Sequence, residues 1–385
     1  MTRPRRAQST LSALSELPDG ASSGTLRIDL RALASNYQRF QRLVAPAVCA
    51  AVVKADGYGL GMAEVVRPLL ARGCEVFFVA QAQEGAALRR LARRARIYVL
   101  NGLARAAAPF FAAHRLQPCL GSLAEIDDWC RHARRERTDL PAALHIDTGM
   151  NRLGLSQAEC RALADRPTRL AGLTTSLVMS HLACADESGA KRRMNVQQRT
   201  RFLQLAQCLP RAPLSLANSA GTGLGADWHL DMVRVGIGLY GGGQRLPFVP
   251  RAVVSVTTHV LTTRAISAGE TVGYGASWRA PTARRIALVP LGYADGYMRQ
   301  LGRAAPPFAR ARIGRHSVPV IGRVSMDIAA LDVSRLPLGA VRRGTAVEFW
   351  HTHALLESQA QLAGTISYEL LTRLGQRYKR VYVGA

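Results

Sequence analysis

From Thr25 to about Gly243 short apolar runs of strand length recur eight times, with helix-like segments between them. The runs are Ala47 to Val53, Val76 to Ala80, Ile97 to Leu100, Gln117 to Leu120, Ala142 to Ile146, Thr174 to Ser180, Leu214 to Ala217 and Met232 to Val235. Segments such as Ala63 to Ala71, Glu84 to Ala95, Leu123 to Arg135 and Val196 to Cys208 carry helical spacing between them. Strands separated by helices pair in parallel through right-handed crossovers. Eight such units predict an α/β fold closed as a (β/α)8 TIM barrel, with an open doubly wound sheet as the alternative.

After Gly241-Gly242-Gly243 the texture changes. The stretches Val253 to Ile266, Arg285 to Leu291, Ala311 to Arg323 and Ala346 to Trp350 are β-rich and punctuated by Gly and Pro, with helix expected only at Ser367 to Leu374. They predict a second, mostly antiparallel β domain. The expected division is a disordered tail over residues 1–24, a barrel over 25–245 and a β domain over 246–385.

The net charge of +25 invites a nucleic-acid or membrane partner. The arginines, however, are spread along helices, and aromatics are only 6% of the chain, so no interleaved binding patch emerges. The run Leu88 to Arg96 reads as one helix with a solvated cationic face. No apolar stretch reaches the roughly 18 to 20 residues of a membrane span. The seven cysteines are odd in number and never spaced C-x-x-C, which predicts reduced thiols in a cytoplasmic protein. His181 and Cys184 lack a second ligand pair, so no metal is expected.

Of the 51 basic residues only Lys54, Lys191 and Lys379 are lysines; the other 48 are arginines. Lys54 ends the first apolar run, directly before Ala55-Asp56-Gly57-Tyr58-Gly59. Arg stays protonated and is a poor nucleophile, whereas burial lowers the pKa of a Lys and frees its amine for imine chemistry. The same position also suits a lysine snorkelling from a strand end. Other polar groups gather where the strands end: His145 through Gly154, His181, Asn218-Ser219-Ala220-Gly221, and Arg234 through Gly241. Barrel active sites form at that rim. Gly236-x-Gly238-x-x-Gly241 fails as a dinucleotide fingerprint, because no doubly wound half begins there and no acid lies about 20 residues on. It can cradle a phosphate with Ser219, or serve as a plain tight turn.

Taken in order, Val53 to Gly59, Asp147 to Gly154, Asn218-Ser219-Ala220, Val233 to Ile237, Gly273-Tyr274-Gly275-Ala276, Gly292-Tyr293-Ala294-Asp295-Gly296 and Met326-Asp327 resemble the alanine racemase family over nearly the whole chain. The resemblance implies a homodimeric, pyridoxal 5'-phosphate-dependent isomerase that interconverts L- and D-alanine and supplies D-alanine for peptidoglycan. It implies that Lys54 binds the cofactor covalently and serves one face of the substrate α-carbon. Tyr274, from the second domain of the partner subunit, would serve the other. A phenol with a free pKa near 10 needs help, which a chain through His181 and Arg234 would give. Arg234 would face the pyridine nitrogen, where guanidinium holds its proton too firmly to share it; a carboxylate there would keep that nitrogen protonated and favour transamination. Tyr58, Asn218, Ser219, Gly236 and Ile237 would bind the cofactor, chiefly its phosphate. Arg152 would meet the cofactor hydroxyl and the substrate carboxylate, and Met326 would offer that carboxylate its N–H. Tyr293 and Asp295 would line the mouth of the site, with Asp327 and His145 behind the contact residues.

One departure stands out. Where many relatives carry an anionic carbamylated lysine, this chain has His145, so a chloride or a nearby acid is expected to hold Arg152. The rival activities are a serine or broad-specificity racemase and, further off, a decarboxylase of similar build.

Overall fold

The computed structural model describes residues 22–384. The disordered tail expected over residues 1–24 therefore lies almost wholly outside the described residues. These divide into two compact units, one of Leu33–Pro250 and one of the residues up to Ala32 together with Arg251 onward.

The first unit is a closed barrel of eight parallel strands. With the N-terminal strand Thr25–Asp29 as β1, they are β2 (Val48–Val52), β3 (Val76–Val79), β4 (Arg96–Val99), β5 (Gln117–Leu120), β6 (Leu140–His145), β7 (Leu173–Met179), β8 (Leu214–Asn218) and β9 (Met232–Val235). Strand β9 closes on β2 with Val48 opposite Met232 and Ala51 opposite Val235. Every apolar run picked out in the sequence falls on a barrel strand, and closure excludes the open doubly wound sheet. Strands covered on both faces read as unbroken apolar runs, and β3 (Val-Phe-Phe-Val) is fully buried.

The helix Leu30–Val44 buries Leu33, Tyr37, Phe40 and Val44, spaced at three to four residues as an apolar stripe requires. Phe40 packs so closely on the backbone at Gly238 that a β-carbon there would overlap its ring. The helix expected over Glu84 to Ala95 runs instead from Ala82 to Leu91. It stops because Arg89 turns back. Its guanidinium donates to the carbonyls of Ala92, Arg93, Ala95, His114 and Arg115 at 2.6–3.1 Å, drawing the chain off the helical path. Arg90, Arg93, Arg94 and Arg96 remain exposed to solvent.

The second unit is a nine-stranded sheet, antiparallel except at one edge. It contains β1, which the expected division had placed in the barrel. Leu26 and Ile28 are buried while their neighbours are not, the alternation of a strand with one face on a core. Strand β1 pairs antiparallel with Val254–His259 and parallel with Lys379–Val383. Both partners lie far along the chain, so a local pattern cannot reveal them. The helix His353–Leu362 is a further element that the sequence reading missed.

Candidate active site

Lys54 follows β2 and opens a five-residue turn, Lys54–Tyr58, that winds the wrong way. Ala55 (φ 53, ψ 50), Asp56 (φ 53, ψ 50) and Gly57 (φ 62, ψ 45) are left-handed, and Tyr58 and Gly59 continue at φ 57 and 80. Left-handed helical geometry costs about 1–2 kcal/mol for each residue with a β-carbon. The surroundings hold it in place. Gly57 N–H bonds Val53 O at 3.0 Å, Gly59 N–H bonds Ala55 O at 2.7 Å, and Met62 N–H bonds the Asp56 carboxylate at 2.8 Å. Glu84 adds a tie that the sequence reading missed. One of its oxygens accepts from Ala55 N–H at 2.6 Å, and the other accepts from Ala80 and Gln81 N–H at 2.8 and 3.0 Å. The Gln81-x-x-Glu84 capping pair at a helix start was the signal available for it. Strain kept by this many bonds marks a backbone under functional constraint.

The Lys54 amine is half-buried and accepts no ion pair among the described residues. Burial lowers its pKa, the neighbouring Arg152 charge lowers it further, and Glu84 opposes both. The local electrostatics thus make this amine easier to deprotonate than that of a free lysine.

Beside it the Tyr58 ring stacks on Tyr240 with centroids 4.4 Å apart, and the Tyr240 hydroxyl donates to Val52 O at 3.0 Å. The Tyr58 hydroxyl lies against Gly236, where an added β-carbon would overlap it. Ser219 Oγ accepts from Gly236 N–H at 2.9 Å and Gly238 N–H at 3.4 Å. Both of those bonds use Ser219 as acceptor, leaving its hydroxyl hydrogen to donate. Tyr58, Ser219, Gly236 and Ile237 are all buried, so the arrangement can hold an anion such as a phosphate by hydroxyl and backbone donors alone. Asn218 spends its Oδ1 on Gly221 N–H at 2.9 Å, which caps the turn carrying Ser219.

Arg234, on β9, is 3% exposed and makes no ion pair with a carboxylate among the described residues. Its Nη1 donates to Ser215 Oγ at 2.6 Å; its Nη2 donates to Ser180 O at 2.6 Å, to Leu216 O at 3.3 Å and to His181 Nδ1 at 3.3 Å. Burial brings its pKa down to about 10. His181 is held well below its ordinary value by burial, then by Arg234, Arg152, His145 and Lys54. Gln198, unnoticed in the sequence, fixes this segment by donating to His181 O at 2.9 Å and accepting from Ala183 N–H at 2.9 Å. His145 ends β6, buried, with its Nδ1 unpaired and its pKa brought down to about 4, chiefly by desolvation and then by Arg234 and Arg152.

Arg152 is exposed, with no acid within ion-pairing distance among the described residues. Among the described residues of this chain, no acid fills the role expected beside Arg152. The candidate, Asp147, is already spent on the N–H groups of Gly149, Met150 and Asn151 at 2.8–3.2 Å.

Within the second unit, Tyr274 sits on a tight turn, 69% exposed. Gly273 and Gly275 of that turn lie against Arg323. Tyr293 and Met326 are also exposed, and their segments touch through Tyr293 N–H to Ser325 O at 3.1 Å and Ala294 N–H to Met326 O at 3.0 Å. Asp295 does not line an opening. Its carboxylate is 0% exposed and accepts from Gly292 N–H at 2.9 Å and from Arg377. An acid placed after a Gly-rich turn reads equally as a wall or as a brace, and here it is a brace.

Residues 28–244 match the alanine racemase N-terminal domain, and residues 253–382 match the alanine racemase C-terminal domain. The alanine racemase of Rhizobium meliloti (strain 1021) is 43% identical over 375 residues, covering 94% of this chain and 98% of that protein. The catabolic alanine racemase of Agrobacterium fabrum is 43% identical over 368 residues, covering 94% and 93%. The crystal structure of alanine racemase from Bartonella henselae with covalently bound pyridoxal phosphate superposes with a TM-score of 0.87 at 36% identity, covering 94% of this chain and all of that one. A parallel barrel joined to an antiparallel β unit is thus the build of a known class of isomerase. The chain belongs to the alanine racemase family.

Proposed function

We propose that this chain is a pyridoxal-phosphate-dependent racemase that interconverts L- and D-alanine, working as a homodimer. The observation that carries the reading is a lysine of lowered basicity beside a hydroxyl-and-amide anion cradle, in a chain of this family. Tyr58, Ser219, Gly236 and Ile237 would hold the phosphate of the cofactor, with Asn218 shaping their turn, and Lys54 would bind its aldehyde carbon. The cofactor supplies an electron-withdrawing ring that acidifies the α-hydrogen of the bound amino acid.

The protein supplies the geometry and the proton movements. Racemisation without release of the carbon acid needs one group on each face of the α-carbon. The Lys54 amine holds the proton on one face. The Tyr274 hydroxyl of the partner subunit serves the other, which agrees with its solvent-facing turn in the single chain. His181, kept neutral by burial and then by its cationic neighbours, relays between that hydroxyl and Arg234. Arg234 would stand toward the ring nitrogen of a bound cofactor and, unable to give up its proton there, would keep the ring from becoming the stronger electron sink that transamination needs. Arg152 and the Met326 N–H take the substrate carboxylate, and Tyr293 stands at the mouth. The seven free cysteines support a reducing, cytoplasmic setting, where the product would feed D-alanine to peptidoglycan synthesis.

The test is chiral chromatography of a panel of amino acids incubated with the protein, with and without added pyridoxal phosphate. The expected result is interconversion of alanine, dependent on the cofactor, with serine well behind. Serine processed faster than alanine, or carbon dioxide release without racemisation, overturns the reading.

A further inference from the structure

Arg377 belongs to none of the motifs that carry the family resemblance, yet it joins two of the carboxylates that do. Its Nε and Nη2 donate to Asp295 Oδ1 and Oδ2 at 2.8 and 2.9 Å, a two-pronged bond to a fully buried carboxylate. Its Nη1 donates to Asp327 Oδ1 at 2.7 Å, at the protein surface. Planar guanidinium presents its donors in a rigid fork, so a bond at each end fixes the separation and angle of the two partners. The segment carrying Arg377 is itself anchored. Gly375 N–H bonds Asp295 O at 3.2 Å, and a β-carbon at Gly296 would overlap Arg373 O.

Each acid belongs to a turn that presents a site residue. Asp295 closes the turn Tyr293–Asp295, and Asp327 follows Met326 directly. The two turns touch so tightly that no side chain fits at Gly292 without overlapping Met326 O. Tyr293 N–H takes Ser325 O, which turns that oxygen toward the Tyr293 segment. In a trans peptide the N–H points opposite to the C=O, so the Met326 N–H is directed away from the Tyr293 turn. No acceptor among the described residues takes it.

We propose that Arg377 is a positioning residue for substrate binding. By clamping Asp295 and Asp327 it sets the Met326 N–H and the Tyr293 ring at one spacing, and so tunes affinity for the substrate carboxylate without touching substrate or cofactor. This rests on the reading that the Met326 N–H meets that carboxylate.

Asp327→Asn is the cleaner variant, since it loosens only the surface arm and leaves the buried Asp295 paired. Arg377→Lys tests the fork, because an ammonium cannot serve both acids in the same geometry. On the cofactor-loaded dimer, Asp327→Asn is expected to raise KM for alanine about fivefold with kcat within about twofold, the signature of weakened binding rather than impaired chemistry. Amide hydrogen exchange at residues 292–294 and 325–327 should quicken in the same variant, and cofactor retention should not change. Arg377→Lys should show the larger KM increase. An unchanged KM in an active Asp327→Asn enzyme, or a loss confined to kcat or to melting temperature, overturns the clamp. A wild-type protein that does not racemise alanine overturns the functional reading and this inference with it.

Discussion

Nη2 of Arg234 lies 3.3 Å from Nδ1 of His181. A guanidinium only donates, so Nδ1 must accept and the neutral ring carries its hydrogen on Nε2. One contact thus fixes both the charge and the tautomer of the histidine. Nitrogen-15 spectra of the protein should show His181 as the neutral Nε2–H form at pH 7, and a protonated ring would contradict the contact. Arg234→Lys reaches fewer of the four acceptors and should cost about 1–3 kcal/mol of stability through unsatisfied buried groups. The same variant should lower kcat/KM by about a hundredfold, read by steady-state kinetics.

His145 is buried and titrates near 4 instead of near 6.5. Between those values the unfolded chain takes up a proton that the folded chain refuses. Stability attributable to this group is therefore complete above about pH 6.5 and falls as the pH drops, by about 3 kcal/mol at pH 4. His181, shifted in the same direction, adds to the slope. Denaturant melts from pH 7.5 to 4.5 should show this decline, and His145→Asn should flatten it. A wild-type curve flat across that range contradicts the assignment.

The cradle at Gly236 leaves no room for a side chain against the Tyr58 hydroxyl. Gly236→Ala should push that hydroxyl aside and weaken cofactor binding by about tenfold or more, a loss of about 1.4 kcal/mol per decade. Ser219→Ala removes the acceptor for two backbone N–H groups as well as a donor, and should act in the same direction. Cofactor titration by absorbance measures both. Binding as tight as wild type in Gly236→Ala would remove the phosphate from this corner.

Sites shared between subunits, as proposed, should be detectable by complementation. Lys54→Ala and Tyr274→Phe homodimers should each lose at least about a thousandfold in kcat, since each lacks the group on one face of the α-carbon. Mixing them after subunit exchange should restore activity, because a mixed dimer contains one site with both groups. No recovery despite verified exchange means that the two residues do not meet across the dimer.

The barrel was legible because parallel strands buried on both faces must be written as unbroken apolar runs, and Val76 to Ala80 admits little else. Residues at strand ends were legible for a related reason, since Lys54 or His181 after such a run is out of place as core. Strand β1 was not, because its partners lie at residues 254–259 and 379–383 and local pattern carries no information about pairing. Gln198 and Arg377 were invisible for another reason. Each acts by bonding backbone or acids brought close by folding, and nothing in the flanking sequence separates such a residue from a solvated one. Asp295 shows the converse: the motif was plain, but whether its acid faces solvent or a guanidinium is decided by packing.

With only three lysines in the chain, covalent attachment of the cofactor can be assigned without ambiguity. The cofactor-loaded protein is reduced with borohydride, digested, and mapped by mass spectrometry. The account predicts a stable pyridoxyl adduct on the peptide containing Lys54 and unmodified peptides for Lys191 and Lys379. An adduct on either of those lysines, or none on Lys54, contradicts it.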